Sequence, residues 1–490
     1  MSGSASAPLL ARSTGRVRAR AALAIADIGE RLTFPRDPLR IAMFVLTILN
    51  VSRIHQHYRV IGRFRPALLL VAASVAYAYL NPRLLTRENV LKLWPMRMIA
   101  VLGVLACLST VFGISLGRSA LFILDVYVKV LAFAFLVAVS IRNVRDLYML
   151  VWAYVISCGI LVYFSMFVFG LQQRGSYVAR LNEMYTYDSN DLGVIMMVGL
   201  PLILLLLVVS RGWRRWALWL ILLGSAATIA RSGSRGAFVG FVAAAAGALF
   251  LVNSVPASRR VALLFAAVLA LLIGAPPGYW KQMSTLLNAK EDYNYSSLDG
   301  RRALILRGIY YMEEYPVFGL GIDNFSRAEC TISPKLESLR INGPMRCTPP
   351  HNSYVQAASE LGVPGIVVWG SLMLGGIFGP LRLRRRLPRE WMRGTETERF
   401  LYGATSFFPV AMIGFAVTSF FVSFAWVDSL YLQSALVAGL YIAVKVHMDS
   451  HPNAAGGHWP AYPGDRGAGW RVRRSARRLA SIDANRASPS

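Results

Sequence analysis

Long apolar segments alternate with short polar ones along most of the chain. Two of them, 192–210 (LGVIMMVGLPLILLLLVVS) and 237–252, approach the roughly 20 apolar residues that a helix needs to cross a hydrocarbon core of about 30 Å. A soluble core does not explain so many runs of this length in one chain. The pattern predicts an all-α, polytopic membrane helical bundle of about 12 transmembrane helices, near residues 39–54, 66–82, 98–115, 119–141, 147–170, 191–209, 216–231, 236–253, 260–276, 352–379, 402–424 and 427–447.

Composition and charge fit this class. Hydrophobic residues make up 55% of the chain, and the formal net charge is +27. A charge of this size also occurs in nucleic-acid-binding proteins, but here the arginines concentrate in short loops and tails, without a DNA-binding motif beside them. We interpret the charge as the positive-inside bias of a membrane protein, with attraction to anionic lipid.

The basic loops also predict an orientation. With twelve spans, one side of the membrane receives four strongly basic segments, 81–97, 210–215, 380–393 and 466–478, which makes that side cytoplasmic. The exception is 53–65, which is also basic but is placed outside. Either the first span does not cross the membrane, or these arginines serve an anionic ligand; the pattern leaves both open.

Two segments of some length then face outward, 171–190 and the much larger 277–350. No cleavable signal peptide is expected, because the apolar stretch after the basic residues 12–20 is short. The predicted organisation is a basic cytoplasmic N-terminal tail (1–38), spans one to nine (39–276), a large periplasmic loop (277–350), spans ten to twelve (351–447) and a basic, disordered cytoplasmic C-terminal tail (448–490).

Two of the four cysteines, Cys330 and Cys347, share the large loop. If the loop is periplasmic, a disulfide between them is a reasonable hypothesis. Two cysteines with one nearby histidine make a poor zinc site. The other two, Cys107 and Cys158, lie inside apolar spans and are interpreted as packing residues.

His351 is the residue that most suggests chemistry. It alone among the six histidines stands where the large loop meets a span, directly after Thr348-Pro349-Pro350. The prolines stiffen its approach, and Asn352 or Ser353 can cap the following helix. An imidazole held there is suited to accept a proton from a sugar hydroxyl near neutral pH. On chemistry alone, an interfacial histidine without a role is the other interpretation.

The residues around His351 form a recognisable pattern. His351-Asn352 is followed by nine residues, Gly362, two residues and Gly365 (HNSYVQAASELGVPG). This pattern resembles the signature of O-antigen ligases, which carry it at the end of a large periplasmic loop. The glycines also have a local reason, since they are expected to break or kink the helix.

Three further elements resemble the same family. RSGSRGA at 231–237 contains Arg231 and Arg235; GRR at 300–302 precedes YPVFGLG at 315–321; and YDSND at 187–191 contains Asn190. By its spacing to Pro316, Arg301 is the better match to the family's arginine, and Arg302 is the reserve. Ile305 stands where the family often has tryptophan. The resemblance covers roughly residues 185–370.

The resemblance implies a GT-C-like membrane glycosyltransferase of the cell inner membrane, with its active site on the periplasmic side. Its donor would be a polysaccharide on undecaprenyl diphosphate and its acceptor lipid A–core, with membrane lipids but no nucleic acid as partners. Guanidinium groups bind phosphate oxygens in a bidentate manner, so Arg235 and Arg301 would hold the diphosphate. His351 would deprotonate the acceptor, giving inversion without a metal or cofactor. Candidate substrate-binding residues are Arg302, Arg231, Asn352 and Asn190.

Simpler interpretations stand beside these. An arginine at a membrane boundary is commonly an anchor. Asp188, Asn190 and Asp191 are expected to cap a helix rather than bind a metal, and Asp125 and Lys129 to pair with each other. At the level of function, an O-antigen or exopolysaccharide polymerase that uses a second lipid-linked glycan is the alternative. A transporter of lipid-linked sugars is a third hypothesis, although the chain shows no internal repeat.

Overall fold

The computed structural model describes residues 32–174, 178–182, 184–185, 187–253, 255–288, 300–336 and 347–450. The chain is mostly helical. Its α-helices are α1 Pro38–Ser52, α2 Ile54–His57, α3 Arg59–Arg63, α4 Pro66–Leu80, α5 Trp94–Phe112, α6 Leu116–Phe122, α7 Val128–Ser140, α8 Val144–Phe167, α9 Ser189–Val209, α10 Trp213–Ser232, α11 Arg235–Leu251, α12 Ala257–Gly274, α13 Tyr279–Ser284, α14 Arg301–Glu314, α15 Phe325–Thr331, α16 Ser353–Arg384, α17 Glu396–Thr418 and α18 Asp428–Ser450.

Short elements connect these helices. A π-helical segment, Ile123–Tyr127, joins α6 to α7, and 3-10 turns cover Pro82–Leu84, Val90–Lys92, Arg389–Met392 and Ser419–Phe421. Between α8 and α9, β1 (Leu171–Arg174) pairs antiparallel with β2 (Val178–Leu181), with Leu171 opposite Leu181. Within the π-helical segment and α7, Lys129 Nζ lies 3.0 Å from an oxygen of Asp125, which confirms the expected pair.

Eight helical segments among the described residues are long and apolar enough to cross a membrane. They are α5, α6 with α7, α8, α9, α12, α16, α17 with the 3-10 turn that follows it, and α18. The predicted all-α, multi-pass class is therefore confirmed, whereas the number of twelve stays a prediction. Three other apolar helices, α1, α4 and α11, are shorter. At 15 residues, α1 and α4 each rise about 22 Å, less than a hydrocarbon core of about 30 Å.

The best-buried helices are α8, α9, α17 and α18, and α9 packs against α10, α11 and α17. At the start of α1, Arg40 is fully buried and lies 3.1 Å from Asp37 and 3.6 Å from Asp146. Because a buried charge is costly without partners, this cluster fixes the start of α1 against the start of α8. The other end of α1, at Ser52, lies against the segment that precedes α9.

The described parts of the predicted large loop are folded. Helices α14 and α15 share a core with the start of α16, made of Leu304, Tyr311, Leu320, Phe325, Ala328 and Val355. Glu329 is buried there between Arg307 at 2.7 Å and Lys335 at 2.9 Å. A disulfide joins Cys330 to Cys347, whose Cα atoms are 5.3 Å apart. These contacts fix the approach of the chain to His351.

Parts of the predicted tails and of the predicted loop, 1–31, 289–299, 337–346 and 451–490, lie outside the described residues. The five-part division of the chain therefore stays a prediction.

Candidate active site

His351 lies in a strained turn directly before α16. Its φ of 48° places it in the left-handed region, which non-glycine residues seldom adopt. The backbone nitrogen of His351 donates a hydrogen bond to Ser423 Oγ at 2.9 Å. The imidazole is half-buried, and its turn is held by the segment that follows α17.

The first residues of α16 attach to the same segment. Asn352 Oδ1 accepts from the backbone nitrogens of Tyr354 at 2.9 Å and Val355 at 3.1 Å, which confirms the expected cap. Because that oxygen is used by the helix, the local geometry favours a positioning role for Asn352. Ser353 Oγ donates to the carbonyl of Val422 at 2.7 Å and accepts from the nitrogen of Phe424 at 2.8 Å.

Arg301 approaches His351 from the start of α14. It is half-buried, and its guanidinium carbon lies 5.5 Å from the ring centroid of Phe421. Burial and the positive charge of Arg301 lower the pKa of His351, while the carboxylate of Asp188 opposes them. Arg302, one residue later, is exposed. Of the two sequence candidates, Arg301 is the one that acts electrostatically on His351.

Arg235 begins α11, after a turn in which Gly233 has a φ of 58°. Ser234 caps the helix by accepting from the nitrogen of Ala237 at 3.2 Å. The guanidinium of Arg235 donates to Thr285 Oγ1 at 2.9 Å. A Cβ on Gly236 would lie 2.5 Å from Cβ of Phe421, so the start of α11 packs directly on this ring.

Phe421, Val422 and Ser423, which we call the junction segment, are therefore the point at which three elements meet. The start of α11, carrying Arg235, packs on Phe421, and the guanidinium of Arg301 lies over the same ring. The turn of His351 is bonded to Ser423. The sequence carries no motif at these positions, and only their contacts in the fold identify them.

Arg180 of β2 is a second residue that sequence reasoning missed. Its Nε donates to the carbonyl of Ser232 at 3.1 Å, and its Nη2 donates to Ser189 Oγ at 2.6 Å and to Asn190 Oδ1 at 2.9 Å. It thus joins the turn before Arg235 to the start of α9. The only signal in the sequence was its charge in a segment predicted to face outward.

Two predicted substrate-binding residues are held by protein groups. Asn190 accepts from Arg180, and Arg231 Nε donates to the carbonyl of Ser165 in α8 at 3.0 Å. Asp188 caps α9 in a capping box with Asp191, which confirms the cap expected from the sequence. The carboxylate of this capping residue also opposes the lowering of the His351 pKa.

The motif glycines explain how the loop meets α16. Gly362 has a φ of 68°, and a Cβ there would lie 2.5 Å from the carbonyl oxygen of Pro316. Gly319 has a φ of 67° and would place a Cβ 2.4 Å from the backbone of Glu360. Two backbones therefore touch where α16 is kinked, which confirms the expected break at Gly362. Gly365, three residues later, is buried within the helix.

This arrangement suits the departure of an anionic group. The guanidinium of Arg301 lies over the ring of Phe421, and Arg235 begins the helix that packs on the same ring, so two cationic donors belong to elements that meet there. The lowered pKa of His351 keeps its imidazole neutral near pH 7, which is the form that accepts a proton. A base and two anion-binding groups are thus grouped on one side of the molecule.

The comparison with protein families agrees with the motifs. The family model described as O-antigen ligase matches residues 220–370. This range includes Arg231, Arg235, Arg301, Arg302, His351, Asn352, Gly362 and Gly365, but neither Arg180, Asn190 nor the junction segment. No curated protein matches the chain. The match supports a membrane glycan enzyme of the ligase or polymerase type. The resemblance to O-antigen ligases is therefore confirmed by a match over residues 220–370.

Proposed function

We propose that the chain transfers a polysaccharide from undecaprenyl diphosphate to lipid A–core at the periplasmic face of the inner membrane. The observation that carries the proposal is that the turn of His351, the guanidinium of Arg301 and the start of α11, which bears Arg235, all contact the junction segment. The family match supplies the substrate class, a lipid-linked glycan. We assign the helical bundle to the GT-C-like type on the same grounds.

The reaction is a direct displacement. An acceptor hydroxyl oxygen forms a bond to the anomeric carbon as the bond from that carbon to the diphosphate oxygen breaks. His351 takes the hydroxyl proton, and the diphosphate leaves with the bonding electron pair. Attack opposite the leaving group inverts the anomeric centre.

Arg235 and Arg301 stabilise the leaving group. Negative charge grows on the diphosphate as its bond breaks, and positioned cationic donors lower the energy of that state. Removal of one such donor costs about 3 kcal/mol, on the order of a hundredfold in rate. No step of this mechanism requires a metal or cofactor.

The other predicted residues receive supporting roles. Arg302 is exposed beside Arg301, and we assign it to the glycan or diphosphate of the donor. Asn190, Arg231 and Asn352 are bonded to protein groups, which favours positioning the catalytic elements over binding substrate.

A polymerase would use the same residues on a second lipid-linked glycan, and the family match fits both reactions. Deletion of the gene, followed by gel analysis of the cell's glycans, separates them. The proposal expects lipid A–core without polymer while carrier-linked polymer accumulates. Loss of the long polymer itself would reject the ligase and assign the chain to polymerisation. A transporter would still move substrate after His351→Ala, whereas a transferase would bind donor without turnover.

A further inference from the structure

The basic segment 53–65, the exception to the predicted orientation, lies beside the candidate active site. Tyr187 donates from its hydroxyl to the carbonyl of Val51 at 3.0 Å, and Arg53 lies 4.6 Å from the centroid of the Tyr187 ring. Tyr187 directly precedes Asp188, the carboxylate that acts on His351. The segment and the imidazole therefore lie at the same end of α9.

A cleft of about 410 Å³ opens between this segment and α7. Its charged lining consists of Arg53, Arg65, Lys129, Asp125 and Asp428, with His55 and Gln56 among the polar groups. Trp426 and Val427 close one side, and they follow the junction segment by three and four residues. The cleft is thus a neighbour of the site that holds His351, built from different elements.

Cations outnumber carboxylates along this lining, three to two. Arg53 is half-buried and faces the carboxylate of Asp428. Asp125 faces both Lys129, at 3.0 Å, and Arg65. Arg65 is exposed, and the side chain of Lys129 is 35% exposed, so both can turn toward a ligand. Asp191, outside the lining, also faces Arg53, so the cations that a ligand can reach are Arg65 and Lys129, which share the one carboxylate of Asp125.

The backbone at these arginines is unusual. Four non-glycine residues in the described part of the chain have positive φ: Arg53 at 49°, Arg65 at 46°, Asp323 at 62° and His351 at 48°. The left-handed region is unfavourable for an L-residue, and glycine would avoid that cost. Observed strain of this kind is a reason to suspect function. Two of the four positions are cleft arginines, and a third is the proposed base.

Much of the remaining lining is apolar. Leu49, Leu68, Val71, Val126 and Val130 face the cleft, and Leu68 and Val126 are exposed. Cations beside an exposed apolar wall suit an amphiphile whose phosphate meets the cations while its chains lie along the helices. A basic segment on the side predicted to face outward opposes the positive-inside bias, and an anionic ligand accounts for it.

We propose that this cleft is a second phosphate site, which binds the phosphorylated headgroup of the acceptor glycolipid. The inference rests on the proposed function, because it assigns the donor diphosphate to Arg235 and Arg301. Those two residues begin α11 and α14, whereas the cleft is formed by the segment after α1, by α4 and by α7. The lipid-linked donor and the acceptor glycolipid are thereby held by different helices, and both reach His351.

The direct test is lipid binding to the purified full-length chain, without turnover. Bisphosphorylated lipid A is titrated into the wild type and into Arg65→Gln/Lys129→Gln, and retained lipid is counted by native mass spectrometry. We expect about a tenfold weaker apparent affinity in the double variant. Dephosphorylated lipid A should bind the wild type as weakly as the intact lipid binds the variant. Unchanged binding in the double variant would overturn the proposal.

The matched control is Arg63→Gln. It removes the same charge from the same basic segment, but Arg63 is exposed and does not line the cleft. Arg65→Lys/Lys129→Arg keeps both charges and should bind like the wild type. If Arg63→Gln weakened lipid binding equally, the positive charge of the whole basic segment, and not this cleft, would attract the lipid, and the proposed site would be overturned. Binding of phosphatidylglycerol or inorganic phosphate as tight as that of lipid A would also overturn the assignment to the acceptor.

A kinetic measurement separates this inference from the proposed function. In a transfer assay, Arg65→Gln/Lys129→Gln should raise the KM for acceptor about tenfold and leave the KM for donor unchanged. A rise in the donor KM instead would overturn the acceptor assignment while transfer itself stood. If the wild type retained phosphorylated lipid through the cleft but transferred no glycan, the proposed function would fail and the phosphate site would remain.

Discussion

The backbone nitrogen of His351 donates to the hydroxyl of Ser423, 2.9 Å away and 72 residues later in the chain. The bond holds a strained turn, because His351 has a φ of 48°. It also joins the segment that matches the O-antigen ligase model, residues 220–370, to the junction segment outside it. The position of the imidazole therefore depends on a residue that does not itself react.

Ser423→Ala tests this dependence. Loss of one hydrogen bond is worth about 1 kcal/mol, so the turnover rate should fall several-fold to tenfold. The KM for donor should stay near the wild-type value, since Ser423 positions the base and is not assigned to substrate. Transfer by the purified protein measures both constants. Ser371→Ala is the control, because that hydroxyl donates to the carbonyl of Val368 within its own helix. Equal losses in both variants would contradict the positioning role.

The pH profile tests the base. Burial and Arg301 lower the pKa of His351 below its ordinary value of 6.5. The imidazole must be neutral to accept a proton, so activity should be present above its pKa and be lost as the pH falls through it. The acid limb of the turnover rate should therefore have its midpoint below 6.5. A midpoint above that value would contradict the assignment.

Arg301→Gln should move the same limb. The variant removes one of the two causes that lower the pKa of His351, so the acid limb of its residual activity should shift to higher pH. His351→Ala should lose transfer by about 10²–10⁴-fold and show no such limb, while remaining in the membrane. An unshifted limb in Arg301→Gln would mean that the two side chains do not interact.

Arg235→Lys tests the guanidinium. A lysine keeps the charge but cannot offer two parallel donors, so about a hundredfold loss in transfer is expected. Lys is long enough to anchor at an interface, so near-normal rates would indicate an anchor. Arg302→Gln is the comparison, since Arg302 is exposed and adjacent to Arg301, and its effect should be much smaller.

Gly362→Ala should destabilise the fold. A Cβ there meets the carbonyl of Pro316 at 2.5 Å in a left-handed backbone, which predicts a loss of about 2 kcal/mol or more. The melting temperature of the detergent-purified protein provides the measurement. Gly370→Ala in the same helix has open space around its Cβ and should be neutral or stabilising. Similar melting temperatures for the two variants would contradict the contact between the loop and the kink.

The motif residues could be predicted from sequence because their chemistry is local. His351 with its following cap, and the kink at Gly362, follow from spacing and backbone preference. Spacing to Pro316 already favoured Arg301 over Arg302, and the fold adds the physical reason, because neighbouring residues on a helix face different directions. Arg180 could not be found, since its role arises where a hairpin meets a turn 52 residues later.

The number of membrane spans shows a second limit of prediction from sequence. Apolar runs locate helices well, and α8, α9 and α18 lie close to their predicted positions. The length of each helix is decided by capping residues and turns, which a hydropathy pattern does not show. Asp37 starts α1 and Arg53 ends it, so a run predicted as a span gives a helix of 15 residues.

The place of Phe421 has a consequence for engineering. Transplanting 220–370 into a related enzyme would carry the histidine and both arginines but leave behind Phe421, which the guanidinium of Arg301 and the start of α11 contact. Exchange of glycan specificity between such enzymes should therefore succeed only when the short stretch after α17 travels with the graft. The part of the chain that must be exchanged is therefore longer than the part that matches the family model.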